Sequence, residues 1–285
     1  MVSRRVRQKP LVHICYIHTP MRYVWERFDD YFGPERVGWV LSNLFFRPIA
    51  AYLRLYDRWT VHRVDQFVAN SRFVADMVRR HYNRDALVLP PPVNFNKFSR
   101  VVRCPEDWYL VVSALVPYKK IDLAIRAVAA LGRELTIVGD GPEKKRLLQL
   151  VESLKARVKF VGALDDTDLM AYYGRAKALL FSGVEDFGIV PVEAIASGCP
   201  VIALAEGGVL DSMTPATALL YNDASADGLR NAIQDFERDA TRFDEQTLRA
   251  RAKEFSEENF IGRFRELVQS TLSKTIILGG PPPTQ

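Results

Sequence analysis

Cysteine is scarce in this chain of 285 residues, and its three cysteines follow no metal-binding or disulfide spacing. Cys15, Cys104 and Cys199 stand apart in apolar or proline-flanked contexts, which is typical of free thiols in a reducing compartment. The sequence also lacks an apolar run long enough to cross a bilayer and an apolar stretch of the secretory type near its start. These absences predict a cytoplasmic protein with neither a disulfide framework nor a bound metal.

Signatures of nucleic-acid recognition are missing too: no helix-turn-helix, RNP-type aromatic cluster or zinc knuckle occurs in the sequence. Charge is nevertheless uneven. Residues 1–100 hold 17 Lys+Arg against 8 Asp+Glu, a net of +9, whereas the remainder holds 22 against 26, a net of −4. A basic first part predicts an anionic partner, and phospholipid headgroups of a membrane or a phosphorylated acceptor fit better than nucleic acid.

Apolar runs and helical patterns alternate through residues 100–255. Strands that are buried on both faces and separated by helices indicate a doubly wound parallel sheet. The sequence therefore predicts a complete Rossmann-like domain here. Its strands are predicted at residues 109–113, 135–138, 158–161, 178–181, 201–203 and 218–221.

The first part of the chain shows fewer strands, at residues 11–17, 65–69 and 86–89. Between the first two lies a long helical pattern over residues 37–63, with a break expected near Pro48. Four basic side chains share one face of this pattern and aromatic and aliphatic side chains occupy the rest. A basic outer face on a packed helix is the favoured interpretation, and a helix lying on a membrane is the alternative. The basic residues are Arg47, Arg54, Arg58 and His62.

Residues 181–200 carry the clearest functional pattern. An apolar strand leads through a polar loop into a short helix, of which Pro191 is predicted to be the first residue. Such a helix start presents free N–H groups and the positive end of the helix dipole, which favour an anion, and Gly188 lets a ligand come close. Glu185 and Glu193 flank the loop and suit hydroxyl groups. A nucleotide sugar carries both kinds of group.

The same residues carry a resemblance. Glu185 and Glu193 with seven residues between them, Phe187-Gly188 inside and Pro191 two residues before the second glutamate, resemble the signature of the retaining, family-four glycosyltransferases of GT-B fold. The resemblance implies an α/β protein of GT-B type, with one complete Rossmann-like doubly wound domain and a second, truncated Rossmann-like domain. It also implies that a nucleoside diphosphate sugar is the donor substrate and that no metal or other cofactor is required.

The likeness covers roughly residues 11–272 and implies a domain plan. Residues 1–98 would form a truncated N-terminal, acceptor-side domain with the linker, and residues 99–256 a nucleotide-sugar donor-binding domain. Residues 257–273 would form a helix that crosses back, and residues 274–285 a disordered tail. Because the family opens with a strand and a glycine-rich loop that have no counterpart before Leu11, three alternatives are open: a truncated gene product, a fragment, or a chain completed by a partner chain.

Site residues follow from the resemblance, position by position. The catalytic residues would be His18, Lys119 and Glu185, with Lys119 on the diphosphate and Glu185 on the transferred sugar. Glu193 would bind the ribose, and the backbone near Val161 the base. The full set of donor-binding residues would be Lys120, Gly139, Gly141, Val161, Gly162, Phe187, Gly188, Ile189 and Glu193.

The implied reaction is retaining transfer of a sugar from a nucleoside diphosphate sugar to a hydroxyl of a lipid-linked or polysaccharide acceptor. Residues 16–22 and 116–119 resemble bacterial mannosyltransferases of polysaccharide assembly, which favours GDP-mannose. Ala114 stands where the family usually keeps an arginine, so a catalytically weak nucleotide-sugar-binding protein or subunit is the alternative function. The expected place is the cytoplasm, with peripheral contact at the inner face of an anionic membrane as an option.

Overall fold

The computed structural model describes residues 11–278, with side chains to residue 273, and the contacts divide the chain into two units. The first unit holds residues 11–70, 74–89 and 261–278, and the second holds Ser71–Phe73 and Pro90–Phe260. Each unit contains one parallel sheet connected through helices. The predicted α/β class is therefore confirmed.

The first unit is built on a three-stranded parallel sheet in the order β1-β2-β3. All three strands were predicted, and each is shorter than its apolar run. The strands are β1 (Ile14–Ile17), β2 (Gln66–Ala69) and β3 (Ala86–Val88). The helices between them are α1 (Arg22–Trp25), α2 (Phe28–Phe32), α3 (Pro34–Val37), α4 (Trp39–Leu41), α5 (Arg47–Thr60) and α6 (Arg72–Tyr82), with a 3₁₀ turn at Val61–Arg63.

The expected break at Pro48 does not occur. Instead, α4 runs into α5 through one π turn, Ser42–Phe46, and Pro48 lies directly after it as the second residue of α5. A proline lacks the N–H that an α-helix would use there, and its ring crowds the carbonyl four residues earlier. The wider π turn accommodates the ring, so the helical path continues without a break.

The faces of α5 differ in part from the favoured interpretation. Two polar side chains face the rest of the unit: Arg54 donates to the Val24 carbonyl at 2.6 and 2.9 Å, and the Asp57 carboxylate accepts from Trp25 Nε1 at 2.8 Å and Tyr82 Oη at 2.7 Å. Aromatic and aliphatic side chains face outward. Arg47, Arg58 and His62 are exposed, as a basic outer face requires, whereas Arg54 is turned inward. The expectation was wrong for the apolar side chains, because hydrogen-bond partners inside the unit, rather than hydrophobicity, fix the rotation of the helix.

The second unit is built on a six-stranded, fully parallel sheet in the order β6-β5-β4-β7-β8-β9. This is the doubly wound order, in which the chain starts in the middle and builds outward in both directions. All six strands were predicted, with ends displaced by at most one residue. The strands are β4 (Trp108–Val112), β5 (Glu134–Val138), β6 (Val158–Gly162), β7 (Leu179–Phe181), β8 (Val201–Leu204) and β9 (Ala218–Tyr221).

Helices cover both faces of this sheet and give the unit two apolar clusters, one per face. The sequence did not predict α7, α12 or α14, which are short or weakly apolar. The helices are α7 (Phe95–Phe98), α8 (Ile121–Leu131), α9 (Lys144–Leu154), α10 (Asp166–Arg175), α11 (Ile189–Ala196), α12 (Val209–Ser212), α13 (Ala226–Arg238) and α14 (Glu245–Lys253), with 3₁₀ turns at Pro117–Lys119 and Ala240–Arg242.

The final helix, α15 (Glu257–Leu278), begins in the second unit and belongs to the first from Ile261 onward. It continues past the predicted end at residue 273, so the first part of the predicted tail is helical. The rest of that tail lies outside the described residues. Within residues 11–278, no helix is both long and apolar enough to span a bilayer.

Candidate functional site

The topology of the second sheet singles out one place for a ligand. The strands β5 and β6, which follow β4 in the chain, lie on one side of β4, and the later strands β7, β8 and β9 lie on its other side. In open α/β sheets ligands bind outside the carboxyl ends of the strands at this reversal point. The loops that follow β4 and β7 meet there, and they carry Lys119 and Glu185.

The backbone around Lys119 is held by the loop after β7. Ser182 Oγ donates to the Lys120 carbonyl at 2.9 Å, and Lys120 takes a left-handed conformation with φ of 51°. A Cβ added to Gly183 would stand 2.8 Å from Lys119 Cα, so only glycine permits this approach of the two loops. The Lys119 backbone is thus held in place by contacts with the loop after β7.

Lys119 and Glu185 form an ion pair between the two loops. Their side chains keep only 14% and 22% of their exposure, so the pair lies in a largely enclosed position. The Lys119 ammonium also stands 5.3 Å from the centre of the Tyr118 ring. A cation and an anion that compensate each other here can separate to meet a phosphate and a hydroxyl of a ligand.

A second support for Glu185 escaped the sequence analysis. The loop after β8 packs on the Glu185 loop, and the Gly208 N–H donates to the Glu185 carbonyl at 2.8 Å. Gly207 has a φ of 83°, and a Cβ there would lie 2.6 Å from the Glu185 oxygen. The adjacent glycines, which begin four residues after the predicted strand 201–203, were the available signal, because such a pair marks close backbone packing.

Helix α11 starts at this site, two residues earlier than predicted. Gly188, with a φ of 86°, precedes its first residue Ile189, and Pro191 is the third helical residue and not the first. No side chain caps the helix start. The N–H groups of residues 188–190 therefore have no partner inside the helix and give a positive end for an anion. The predicted Phe187 is buried in the core beneath the loop.

Glu193 lies in the second turn of α11 and contacts a different partner from Glu185. The buried Tyr173 donates its hydroxyl to Glu193 Oε2 at 3.1 Å. Burial raises the pKa of Glu193 to about 7, because this one hydrogen bond offsets only part of the cost of removing the carboxylate from water. A ligand with hydroxyl donors would supply the missing hydrogen bonds.

The glycine loop after β5 lies on the same edge of the sheet. Leu115 donates its N–H to the Asp140 carbonyl at 2.9 Å, and Gly139 donates to the Gly162 carbonyl at 2.7 Å. A Cβ at Gly139 would collide with the Ser113 carbonyl. These glycines are therefore required by packing between the loops after β4, β5 and β6, apart from any ligand.

Two predicted donor residues, Val161 and Gly162, end β6 beside this glycine loop. Lys120 is exposed, and its side chain is separate from the Lys119–Glu185 pair. The structure therefore gathers the predicted donor residues of the second unit along one edge of one sheet. Among the described side chains, no group of three or more His, Cys, Asp or Glu residues is arranged to hold a metal ion.

His18 belongs to the first unit. It directly follows β1, as predicted, and its carbonyl accepts from Asn70 Nδ2 at 3.0 Å. Its ring is exposed and meets the Tyr16 ring edge to face at 5.2 Å between centroids. His13 is instead structural, as expected: its Nδ1 lies 2.9 Å from the Arg63 carbonyl.

Family models match most of the chain. A model described as "Glycosyl transferases group 1" matches residues 94–258, and one described as "Glycosyltransferase Family 4" matches residues 2–97.

Two relatives illustrate the range of similar sequences. The first is a GDP-mannose-dependent monoacylated alpha-(1-6)-phosphatidylinositol monomannoside mannosyltransferase of Corynebacterium glutamicum, 34% identical over 42% of this chain and 35% of its own length. The second is the O-antigen chain mannosyltransferase RfbU of Salmonella typhimurium, 30% identical over 65% of this chain and 55% of its own length. The chain thus spans about a third to just over half of these relatives.

Solved structures support the fold. Sucrose-phosphate synthase from Thermosynechococcus elongatus matches 79% of this chain and 62% of its own with a TM-score of 0.70 and 25% identity. HepE of Anabaena in complex with UDP matches 90% of this chain and 79% of its own with a TM-score of 0.70 and 20% identity. These likenesses confirm the predicted GT-B type of fold.

Proposed function

The chain belongs to the family of glycosyl transferases group 1, and from this membership we propose that it transfers mannose from GDP-mannose to a hydroxyl of a lipid-linked or polysaccharide acceptor. Transfer proceeds with retention at the anomeric carbon and without a metal ion. Mannosyltransferases among the relatives support the choice of sugar. The resemblance of residues 16–22 and 116–119 to such enzymes supports the same sugar.

The observation that carries the proposal is the Lys119–Glu185 ion pair at the reversal point of the sheet, beside the open start of α11. The diphosphate of the donor binds to the Lys119 ammonium and accepts hydrogen bonds from the N–H groups around Ile189. Glu185, released from the lysine, then accepts from hydroxyls of the sugar. Both charges are thus engaged with the donor and neither remains enclosed without a partner.

The charge that develops during transfer lies on the leaving diphosphate. Lys119 and the helix start behind Gly188 are fixed beside it by the surrounding backbone, and groups that are oriented in advance stabilise such a charge most effectively. Glu193 holds the ribose hydroxyls, and the backbone at Val161 and Gly162 meets the base. His18 acts on the sugar.

Binding and transfer test the proposal directly. Isothermal titration of the full chain with GDP-mannose, GDP and UDP-glucose should give the highest affinity for GDP-mannose. Radiolabelled mannose should then pass to a polyprenyl-linked or oligosaccharide acceptor, and its linkage should be α. No heat with any of the three ligands at millimolar concentration would contradict the proposal.

A second candidate function rests on Ala114. This exposed residue stands in the β4 loop where relatives usually carry an arginine that contacts the diphosphate. Without that bidentate contact the chain would bind a nucleotide sugar weakly and serve as a binding protein or subunit. Ala114→Arg separates the two functions: tighter binding with a gain in transfer favours an enzyme that tolerates the loss, whereas tighter binding without transfer favours the subunit.

We place the chain in the cytoplasm, with peripheral contact at the inner face of the membrane. A lipid-linked acceptor would lie in that membrane, and the chain would bind it at the membrane surface. The support is the basic balance of residues 1–100.

A further inference from the structure

Ten large apolar side chains form one continuous stripe along α4, the π turn and α5. Each is between 49% and 66% exposed. From Leu41 to Trp59 the exposed residues recur at spacings of one, three and four, which keeps them on one side of the helical path for about five turns. Trp39 and Val40 extend this exposed surface at its start. Exposed apolar patches of this length are rare on soluble surfaces and mark interaction sites. We call this set the apolar stripe: Trp39, Val40, Leu41, Leu44, Phe45, Ile49, Tyr52, Leu55, Tyr56 and Trp59.

The exposure of the stripe is fixed by contacts on the opposite side of α5. The Asp57 carboxylate is held by Trp25 and Tyr82, and the Arg54 guanidinium by the Val24 carbonyl. Ala50 is buried in the small apolar cluster with Val24. Turning the stripe inward would leave the Asp57 charge without these donors in a partly buried position, which is unfavourable. The stripe is therefore a stable outer surface.

Positive charge borders the stripe along one edge and at both ends. Arg47 and Arg58, three helical turns apart, are exposed along one long edge, Arg36 is exposed before its start, and His62 and Arg63 follow its end. Over residues 36–63 the chain carries five arginines and one acid, Asp57. That acid is held by Trp25 and Tyr82, and Arg47 pairs with the Asp29 carboxylate at 3.0 Å. Among the described side chains, Arg36, Arg58 and Arg63 are therefore the exposed arginines of this segment that have no carboxylate partner.

This charge pattern selects among possible occupants. A second copy that packed stripe against stripe would bring Arg36, Arg58 and Arg63 of both copies close together, and the Asp57 carboxylate of each copy is already held. An anionic bilayer supplies phosphates for the arginines and an acyl boundary for the apolar side chains. Tryptophan and tyrosine, which prefer the level of the headgroups, make up four of the ten stripe residues.

We propose that the apolar stripe docks the chain on the surface of an anionic lipid bilayer, with α5 lying in the plane of the interface. The stripe enters the boundary between headgroups and acyl chains, and the bordering arginines bind lipid phosphates. The proposal rests on the peripheral membrane contact proposed above and names the surface that makes it, and membrane binding itself needs no nucleotide sugar. A failure of donor binding would therefore leave it untouched, and the reverse also holds.

Vesicle co-sedimentation of the full chain tests the proposal. Vesicles of phosphatidylcholine with phosphatidylglycerol should pull down the chain at low salt. Vesicles of phosphatidylcholine alone should bind it at least about tenfold less, since the arginine contacts are lost. High salt should weaken binding to the anionic vesicles in the same direction.

Two double variants separate the apolar and the charged contributions. Tyr52→Ser with Leu55→Ser should lower binding to anionic vesicles by at least about tenfold, because two side chains no longer enter the bilayer. Arg36→Gln with Arg63→Gln should lower it by about fivefold for each arginine. The matched controls lie in the second unit: Leu148→Ser, at a residue that is 46% exposed on α9, and Arg126→Gln, at an exposed residue on α8, should both bind like the original chain.

A measurement on the unaltered chain guards against variants that fold poorly. Trp39 and Trp59 belong to the stripe, so brominated anionic lipids should quench tryptophan fluorescence and brominated neutral lipids should not. Three results would overturn the proposal: no binding to anionic vesicles at low salt, equal binding by folded Tyr52→Ser/Leu55→Ser, or absence of quenching. A dimer in sedimentation velocity that this double variant abolishes, without vesicle binding, would assign the stripe to a second copy.

Discussion

Glu237 lies at the amino ends of the strands in the second sheet, the amino edge, and Glu193 lies at their carboxyl ends, the carboxyl edge, and the two side chains have opposite environments. At the amino edge, Glu237 receives hydrogen bonds from Arg133 Nε and Nη2, both at 2.8 Å, and from Tyr109 Oη at 2.9 Å, with Lys177 Nζ at 3.4 Å. The Arg133 hydrogen bonds lead in lowering the pKa of Glu237 to about 2. This carboxylate is fully occupied by the protein's own groups.

At the carboxyl edge, Glu193 has only Tyr173 at 3.1 Å, and its pKa is raised to about 7 by burial. A carboxylate that is enclosed but poorly supplied with donors stabilises the fold little. The difference shows that Glu237 contributes its hydrogen bonds to the stability of the fold, whereas Glu193 has acceptor positions that the protein leaves for a ligand. Glu237 of α13 binds Tyr109 of β4 and Arg133, which directly precedes β5. Glu193 instead accepts one hydrogen bond from the protein, and a ligand would supply further donors.

The largest expected effect lies at the carboxyl edge. Lys119→Ala should lower the rate of glycosyl transfer by about 10²- to 10³-fold, because the developing charge on the diphosphate loses its fixed cation. Initial rates with saturating donor measure the loss. The control is Lys177→Met at the amino edge, where a lysine of the same unit should be dispensable for transfer. Equal rates for Lys119→Ala and the original chain would contradict a role of the carboxyl edge in transfer.

Next in size is a pH dependence of stability due to Glu193. Its folded-state pKa of about 7 lies above the ordinary value of 4.5, so the folded state holds a proton that the unfolded state has released. The free energy of unfolding should therefore fall as pH rises from about 4.5 to 7, by about 3 kcal/mol in total. Glu193→Gln should remove this decline in urea unfolding of the free protein. Glu152→Gln, an exposed substitution on α9, should keep it.

A smaller effect with the opposite sign is expected at the amino edge. The pKa of Glu237 is depressed to about 2, so its stabilisation is present above pH 4.5 and is lost as pH falls toward 2. Glu237→Gln should cost about 1–2 kcal/mol near neutral pH, since the partner Arg133 is partly in water and screening weakens the pair. Nucleotide affinity should be unchanged. A fall in affinity would mean that the two edges are coupled.

The smallest effects distinguish the two glutamates of the carboxyl edge from each other. Glu193→Gln should weaken bare GDP and GDP-mannose alike by about tenfold, since both carry the ribose. Glu185→Gln should weaken GDP-mannose by a similar factor and leave GDP unaffected. Titration calorimetry with both ligands measures the pattern. Equal losses of both ligands in both variants would show that the assigned roles are wrong.

Much of the second unit could be predicted because its signals are local. Parallel strands buried on both faces appear as uninterrupted apolar runs, and all six were found within a residue of their ends. The start of α11 was misplaced because Pro191 is tolerated anywhere in the first turn. The loop after β8 was missed because its role depends on contact with Glu185, which is distant in sequence.

The first unit was less predictable because its decisive contacts are polar and distant. The pattern of α5 shows two distinct faces, but hydrophobicity alone assigns the apolar face to the interior. The structure chooses the other face through Asp57 and its partners Trp25 and Tyr82, which lie 32 and 25 residues away. For the site, residue types and their placement on one sheet edge followed from the sequence. Their roles remain predictions.

The crowding at Gly139, Gly183 and Gly207 has a consequence for reading a mutational scan of this protein. At each of them even one added methyl group meets backbone of another loop. Inactive alanine variants at these positions would ordinarily be scored as evidence of ligand contact, yet here they would report a distorted scaffold. Tolerance at Lys120 or Ala114, where side chains are exposed, is the more informative readout. A screen that ranks positions only by loss of activity would therefore identify the glycines that hold the loops together before it identified the residues that contact the ligand.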